Sequence, residues 1–294
     1  MSAITTESAG RRFGGYEILG LLRNDDGVRV YQARQLALHR TVRLAVLPAA
    51  QAAKPVFRAR FEREVAALLE VRHDNVLGAI DAGEIDGDRF VVTEDATGRT
   101  LADALDAGRG FASAESLRLV RDVALALDAF EKSGLCHRNV APRAIVLTDA
   151  GVTKLAGLSR VKRSEPSSEE TWYDVLNEDA PYRPPEAVRG GRLDIRGDIY
   201  SLGCVLYRLL AGRPPFRGPN AAVVLAAHVQ RTPRAFRSRR PEVPEAAETV
   251  ALACLAKSRA ERYQRTSELL LDLEDAIAGR PVRNAVADAF RRTR

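Results

Sequence analysis

Residues 195–212 read IRGDIYSLGCVLYRLLAG, a run that is apolar on nearly every side. A helix lying on a surface carries one apolar stripe, so a run without a polar face predicts a helix buried all round at the centre of a helical half. Further helices are predicted after it, PNAAVVLAAHVQ (219–230), PEAAETVALACLAKS (244–258) and TSELLLDLEDAIAG (266–279). Before it, SAESLRLVRDVALALDAFEKSG (113–134) predicts a long helix with a serine cap near Ser113 and a glycine stop at Gly134, and TLADALDAG (100–108) a short one with a threonine cap. The strands AIVL and VTKL bracket the turn TDAG as a hairpin. From Ala156 to Glu186 there is little periodicity and many Ser, Glu and Pro residues. A structureless stretch of that length inside a compact domain is usually functional.

The other end of the chain changes period. YEILGLL, VRVYQAR and RTVRLAVL, between Tyr16 and Leu47, are β-like runs separated by polar turns and predict a meander. FRARFEREVAALLEVR (57–72) sets Phe57, Phe61, Val65, Leu68 and Leu69 at helical spacing. NVLGAI and RFVVTE, split by the turn EIDGD, add two strands. Five strands and one helix therefore make a small lobe over 16–96, ahead of a helical lobe over 97–279, with a flexible N-terminus at 1–15 and a basic tail at 280–294. No internal repeat is visible.

The composition of the 294 residues, 46% hydrophobic and 29% charged, is globular and excludes a disordered chain. The longest apolar run without a charge, AAVVLAAHV from Ala221, is about nine residues against the roughly 20 that cross a bilayer, so no transmembrane segment is expected. The start, MSAITTESAGRRF, lacks the apolar core of a signal peptide. Cys136, Cys204 and Cys254, without a CxxC, predict neither a disulfide framework nor a zinc site, and a cytoplasmic location is expected. A net charge of +6 does not imply a nucleic-acid partner. Only five of the 45 basic residues are lysines: Lys54, Lys132, Lys154, Lys162 and Lys257.

This order of elements resembles the protein kinase fold, and the resemblance rests on particular strings. FEREVAALLEVRHDNVL (61–77) looks like helix C with its following loop, CHRNVAPRAIVL (136–147) like the catalytic loop, and YRPPEA (182–187) like the APE motif. DIYSLGCVLYRLLAGRPPF (198–216) is similar to helix F of bacterial Ser/Thr kinases, and the likeness runs from about Tyr16 to Ala278. It implies an α+β, bilobal fold with a five-stranded antiparallel sheet plus helix C in the N-lobe and a mainly helical C-lobe. ATP and magnesium would be the family ligands.

Residue by residue, the resemblance gives an altered site. The glycine-rich hairpin corresponds to LRNDDGVRV (22–30), where the glycine positions fall on Arg23, Asp25 and Val28 and an ordinary turn at Asp26-Gly27 is expected. The phosphate-clamp lysine position is Ala45, although Glu64 matches its helix C partner; Lys54, the sole lysine before residue 95, falls in the loop before the helix. Arg43 shares a strand face with Ala45. It either fills part of the adenine space, pairing with Glu64 or with Glu94 or Asp95 beside Thr93, or is solvated at the cleft mouth. The family's base, its phosphate-steadying lysine and its metal-binding asparagine fall on Asn139, Ala141 and Ala144. The DFG aspartate falls on Gly157, followed by the apolar Leu158. Structural roles are implied for His137 as a packed residue, for Arg138 holding the central loop, for Asp198 bonding the catalytic-loop backbone, and for a Glu186–Arg262 ion pair.

An amide cannot replace a carboxylate base, and magnesium normally needs carboxylates beside phosphate oxygens. The expectation is therefore a pseudokinase, not an enzyme, with no cofactor and no metal, acting as a scaffold or allosteric partner of a protein such as an active kinase or its substrate. The alternatives are a Ser/Thr kinase with residual phosphotransfer and a metal-independent nucleotide sensor. Ser164, Ser167, Ser168 and Thr171 are candidates for phosphorylation in trans. RTPRAFRSRR (231–240) and GRPVRNAVADAFRRTR (279–294) carry five arginines each. The first reads as a solvated loop or a docking face for an acidic partner. The second reads as a tail helix with Val286, Ala289 and Phe290 on one side, open to an acidic partner or an anionic surface.

Overall fold

The structure, a computed structural model, describes residues 9–25, 27–157, 161–163 and 179–282. The strands of the N-terminal lobe are β1 (Arg12–Phe13), β2 (Tyr16–Asp25), β3 (Val28–Gln35), β4 (Arg40–Leu47), β5 (Ala79–Ile85) and β6 (Asp88–Glu94). They form one antiparallel sheet in the order β1-β2-β3-β4-β6-β5. Period-2 alternation orients β4. Val42, Leu44 and Val46 are buried on one face with Tyr16, Ile18, Tyr31, Phe90 and Val92, while Arg43 and Ala45 turn to the other. Helices α1 (Ala49–Ala52) and α2 (Pro55–Glu70) follow β4, and α2 buries Phe61, Ala67 and Leu68. Pro55 starts α2 two residues before the expected Phe57, because proline's missing N–H costs nothing at a helix N-terminus.

One expectation needs correction here. The sheet has six strands and not five, since Arg12 and Phe13 pair with Glu17 and Tyr16 inside the segment expected to be flexible. The Phe13 ring meets Phe90 edge-on at 5.6 Å, which gives this short strand an apolar anchor.

The C-terminal lobe contains β7 (Gly98–Thr100), α3 (Leu101–Asp106), α4 (Ser113–Lys132), β8 (Leu135–Cys136), β9 (Ile145–Thr148), β10 (Thr153–Leu155) and β11 (Lys162–Arg163). It continues with α5 (Pro185–Val188), α6 (Ile195–Ala211), α7 (Ala221–Gln230), α8 (Glu245–Cys254) and α9 (Thr266–Ile277). Within α6 only Arg196, Arg208 and Ala211 escape burial, as its sequence requires. It packs between α4 and α8, and closely: a Cβ on Gly203 would lie 2.4 Å from Cys254 Cβ. Thr100 caps α3 in a reciprocal box with Asp103. The expected Ser113 cap is displaced by one residue, since Ala112 holds the cap position of α4 without a side-chain bond.

The lobes are joined by backbone. NVLGAI pairs within the sheet only from Ala79, because Asn75 to Leu77 bond to β10 instead. Leu155 N–H donates to Asn75 O at 2.7 Å, Leu77 N–H to Leu155 O at 2.9 Å, and Asn75 Nδ2 to Thr153 O at 2.8 Å.

Candidate functional site

The cleft side expected from the resemblance is the face of β3 and β4 that carries Gln32, Arg43 and Ala45. Asp25 and Val28 are paired, so the β2–β3 hairpin closes in a tight turn with Gly27 left-handed at φ +82°. A Cβ on Gly27 would meet Gln51 Cγ at 3.1 Å, so the hairpin tip lies against α1.

Arg43 reaches from β4 to the segment after β6. Its Nε lies 3.3 Å from Asp95 Oδ1, and its Nη2 donates to Ala96 O at 2.9 Å. Gln32, opposite Arg43 in the β3–β4 register, donates from Nε2 to Asp95 Oδ2 at 3.0 Å. The Asp95 side chain is 6% exposed, so both oxygens of a nearly buried carboxylate are taken up by the chain itself. Among the three acids weighed for Arg43, Asp95 is the one engaged. Glu94 instead meets Lys154 Nζ at 2.8 Å, which also donates to Asp74 O at 2.8 Å, and Glu64 sits half-buried on α2. Thr93, buried, pairs with Arg43 across β4 and β6. Ala45, half-buried two residues on, brings no charge.

Below the cleft, Asp198 organises the loop after β8. It accepts His137 N–H on Oδ2 and Arg138 N–H on Oδ1, each at 2.7 Å. Arg138 takes φ +62°, uncommon for a residue with a Cβ, and that turn aims both amides at one carboxylate. Burial pushes the Asp198 carboxyl up to about 7 while its backbone donors pull it back. His137 is buried; its Nδ1 accepts from Asn139 N–H at 3.2 Å, which leaves the proton on Nε2 to donate to Ala156 O at 3.0 Å. Burial pulls this imidazole down to about 4, so it is a neutral packing residue at ordinary pH.

Asn139 has a buried Oδ1 with no hydrogen-bond partner among the described residues. Ala141 and Ala144 are buried, and a Cβ on Gly157 would lie 3.5 Å from Ala144 Cβ. The two positions that the resemblance gives as metal-holding are thus adjacent, and neither side chain carries an oxygen. These residues do not fit a side-chain-held magnesium.

Glu186 and Arg262 form a bidentate pair at 2.7 and 2.9 Å. The guanidinium, fully buried, also donates to Ala256 O, Arg196 O and Lys257 O and lies over the Tyr200 ring. Arg138 and Arg183 line a small pocket with Asp194 and Asp198. Leu158, Ser164, Ser167, Ser168, Thr171, Val286, Ala289 and Phe290 lie outside the described residues.

Gln32, Ala96 and Lys154 were not legible as site residues. Gln32 could have been found from its strand face, since it stands opposite Arg43; Ala96 acts only through its carbonyl, which no side-chain pattern announces.

A protein kinase domain model matches residues 27–271. A probable serine/threonine-protein kinase of Streptomyces coelicolor is 32% identical over 92% of this chain and 41% of its own length. The serine/threonine-protein kinase PknB of Mycolicibacterium smegmatis is 33% identical over 88% of this chain and 42% of its own. The chain thus spans about two fifths of the length of these curated relatives. The kinase domain of Mycobacterium tuberculosis PknI superposes with a TM-score of 0.67 at 26% identity, covering 91% of this chain and 98% of that one. These relatives overturn the expectation of a chain that is not an enzyme: serine/threonine protein kinases at about 30% identity over most of the chain point to an enzyme.

Proposed function

The chain belongs to the protein kinase family, of the bacterial serine/threonine type, and from that premise we propose that it works in kinase signalling as a scaffold or allosteric partner, with its own Arg43 reaching across the expected nucleotide cleft. The observation that carries this reading is the Arg43–Asp95–Ala96 contact. The guanidinium takes a main-chain acceptor just beyond β6 and is fixed there by a carboxylate that Gln32 also holds. A planar, charged donor pinned at both ends occupies a place that a purine edge would otherwise contest. Ala45, Ala144 and Gly157 offer a nucleotide neither a cation nor a metal ligand to outweigh that contact.

A second reading, Ser/Thr phosphotransfer, is favoured by the kinases to which the chain is similar. Thermal shift with ATP, with and without magnesium, on the wild type and on Arg43→Ala separates the two. The partner reading expects no saturable shift in the wild type and a metal-independent rise in Arg43→Ala. Radiolabelled phosphate transferred by the wild type, and lost on Asn139→Ala, would establish phosphotransfer. A metal-independent shift in the wild type would make the chain a nucleotide sensor.

A further inference from the structure

We propose that Arg213, Arg234 and Arg239, gathered at the C-terminal end of α6, form a docking site for an acidic segment of a partner protein. For its role the proposal rests on the partner reading above; its chemistry does not. The helix ends at Gly212, left-handed at φ +73°, and Arg213 follows immediately. The loop 231–240 is folded onto that end. Tyr207 donates from its hydroxyl to Arg234 O at 2.9 Å and meets the Phe236 ring edge-on at 4.9 Å. Glu248, buried on α8, accepts Phe236 N–H at 2.6 Å and Arg237 N–H at 2.9 Å through one oxygen. The loop backbone is therefore held before any partner arrives, which lowers the ordering cost of binding.

The loop's arginines divide into two groups. Arg237 is committed to Val243 O and Glu245, and Arg240 to Glu242. Arg234 and Arg239 are exposed and Arg213 half-exposed, and among the described residues none of the three has a carboxylate at ion-pair distance. All three act on the Tyr207 hydroxyl, which burial raises, their charges pull back and the buried Glu248 carboxylate pushes up again. Three cations around one hydroxyl have a single buried carboxylate among them, Glu248, one of whose oxygens is engaged by the loop backbone, and carboxylates from outside would relieve the remaining repulsion.

The surroundings favour a peptide over other polyanions. Glu242 and Glu245 stand at the rim, where they would repel a continuous phosphate backbone but leave room for spaced carboxylates. Among the described residues the exposed large apolar side chains, Leu38, Val56, Leu69, Val152 and Leu271, all lie outside this loop and the end of α6, so these residues offer the face no apolar wedge for a bilayer.

The test uses the full chain and fluorescein-labelled octaglutamate, read by anisotropy at low ionic strength. The triple variant Arg213→Ala, Arg234→Ala, Arg239→Ala is compared with Arg72→Ala, Arg118→Ala, Arg265→Ala, which removes the same charge from exposed positions elsewhere. Saturable binding by the wild type, weakened about tenfold or more by the first triple and less than about twofold by the second, is expected. Equal weakening by both triples, no binding by the wild type, or preference for a single-stranded octanucleotide or phosphatidylglycerol vesicles overturns the proposal. Melting curves confirm that both triples fold. No ATP enters the measurement, so phosphotransfer in the earlier assay would remove the scaffold reading and leave this face standing.

Discussion

Asp198 governs a turn through two bonds, and its replacement is informative because each oxygen has its own donor. Asp198→Asn turns an amide N–H2 toward one of those backbone N–H groups, leaving a buried donor unmatched. A loss of about 1–3 kcal/mol is expected, read as a lower urea midpoint. His137 gives a pH signature. Its imidazole titrates at about 4 in the fold against an ordinary 6.5, so below pH 6.5 the unfolded chain binds a proton that the native chain refuses. Stability from this residue is complete above pH 6.5 and is lost as the pH falls toward 4. Between pH 7 and 5 the loss is about 2 kcal/mol, and denaturation curves of His137→Gln at the two pH values should lack it.

At the scale of elements, α6 and α8 touch where glycine permits it. Gly203→Ala would place a methyl 2.4 Å from Cys254 Cβ, and neither backbone can yield without moving a helix. The gain in helix propensity is outweighed, and a net destabilisation of about 1–3 kcal/mol is expected from the melting curve. The helices themselves were legible because burial writes its period into side chains; α6 announces itself by having no polar face. Elements whose cause is a partner rather than a period were not. β1 exists because Phe13 finds Phe90, and Asn75 to Leu77 leave the sheet because β10 offers them acceptors and a donor. The same division holds in the cleft. Arg43 could be placed by counting two residues back from Ala45, yet its choice of Asp95 over Glu64 and Glu94 depended on Gln32 and on Lys154 having claimed Glu94.

Across the whole molecule, Glu186 and Arg262 tie α5 to the segment before α9 over 76 positions of sequence. Arg262→Met leaves a buried carboxylate and three main-chain carbonyls without their donor. A loss of about 3–5 kcal/mol is expected, visible as a melting temperature several degrees lower. The bonds between Asn75, Leu77 and Leu155 act on the same scale. They make each lobe supply an edge that the other lacks, so neither half is a free-standing cassette. A chain cut in the connection after β6 should yield two fragments that are poorly soluble apart and that recover the native circular dichroism when mixed, making this seam a natural place for a split reporter.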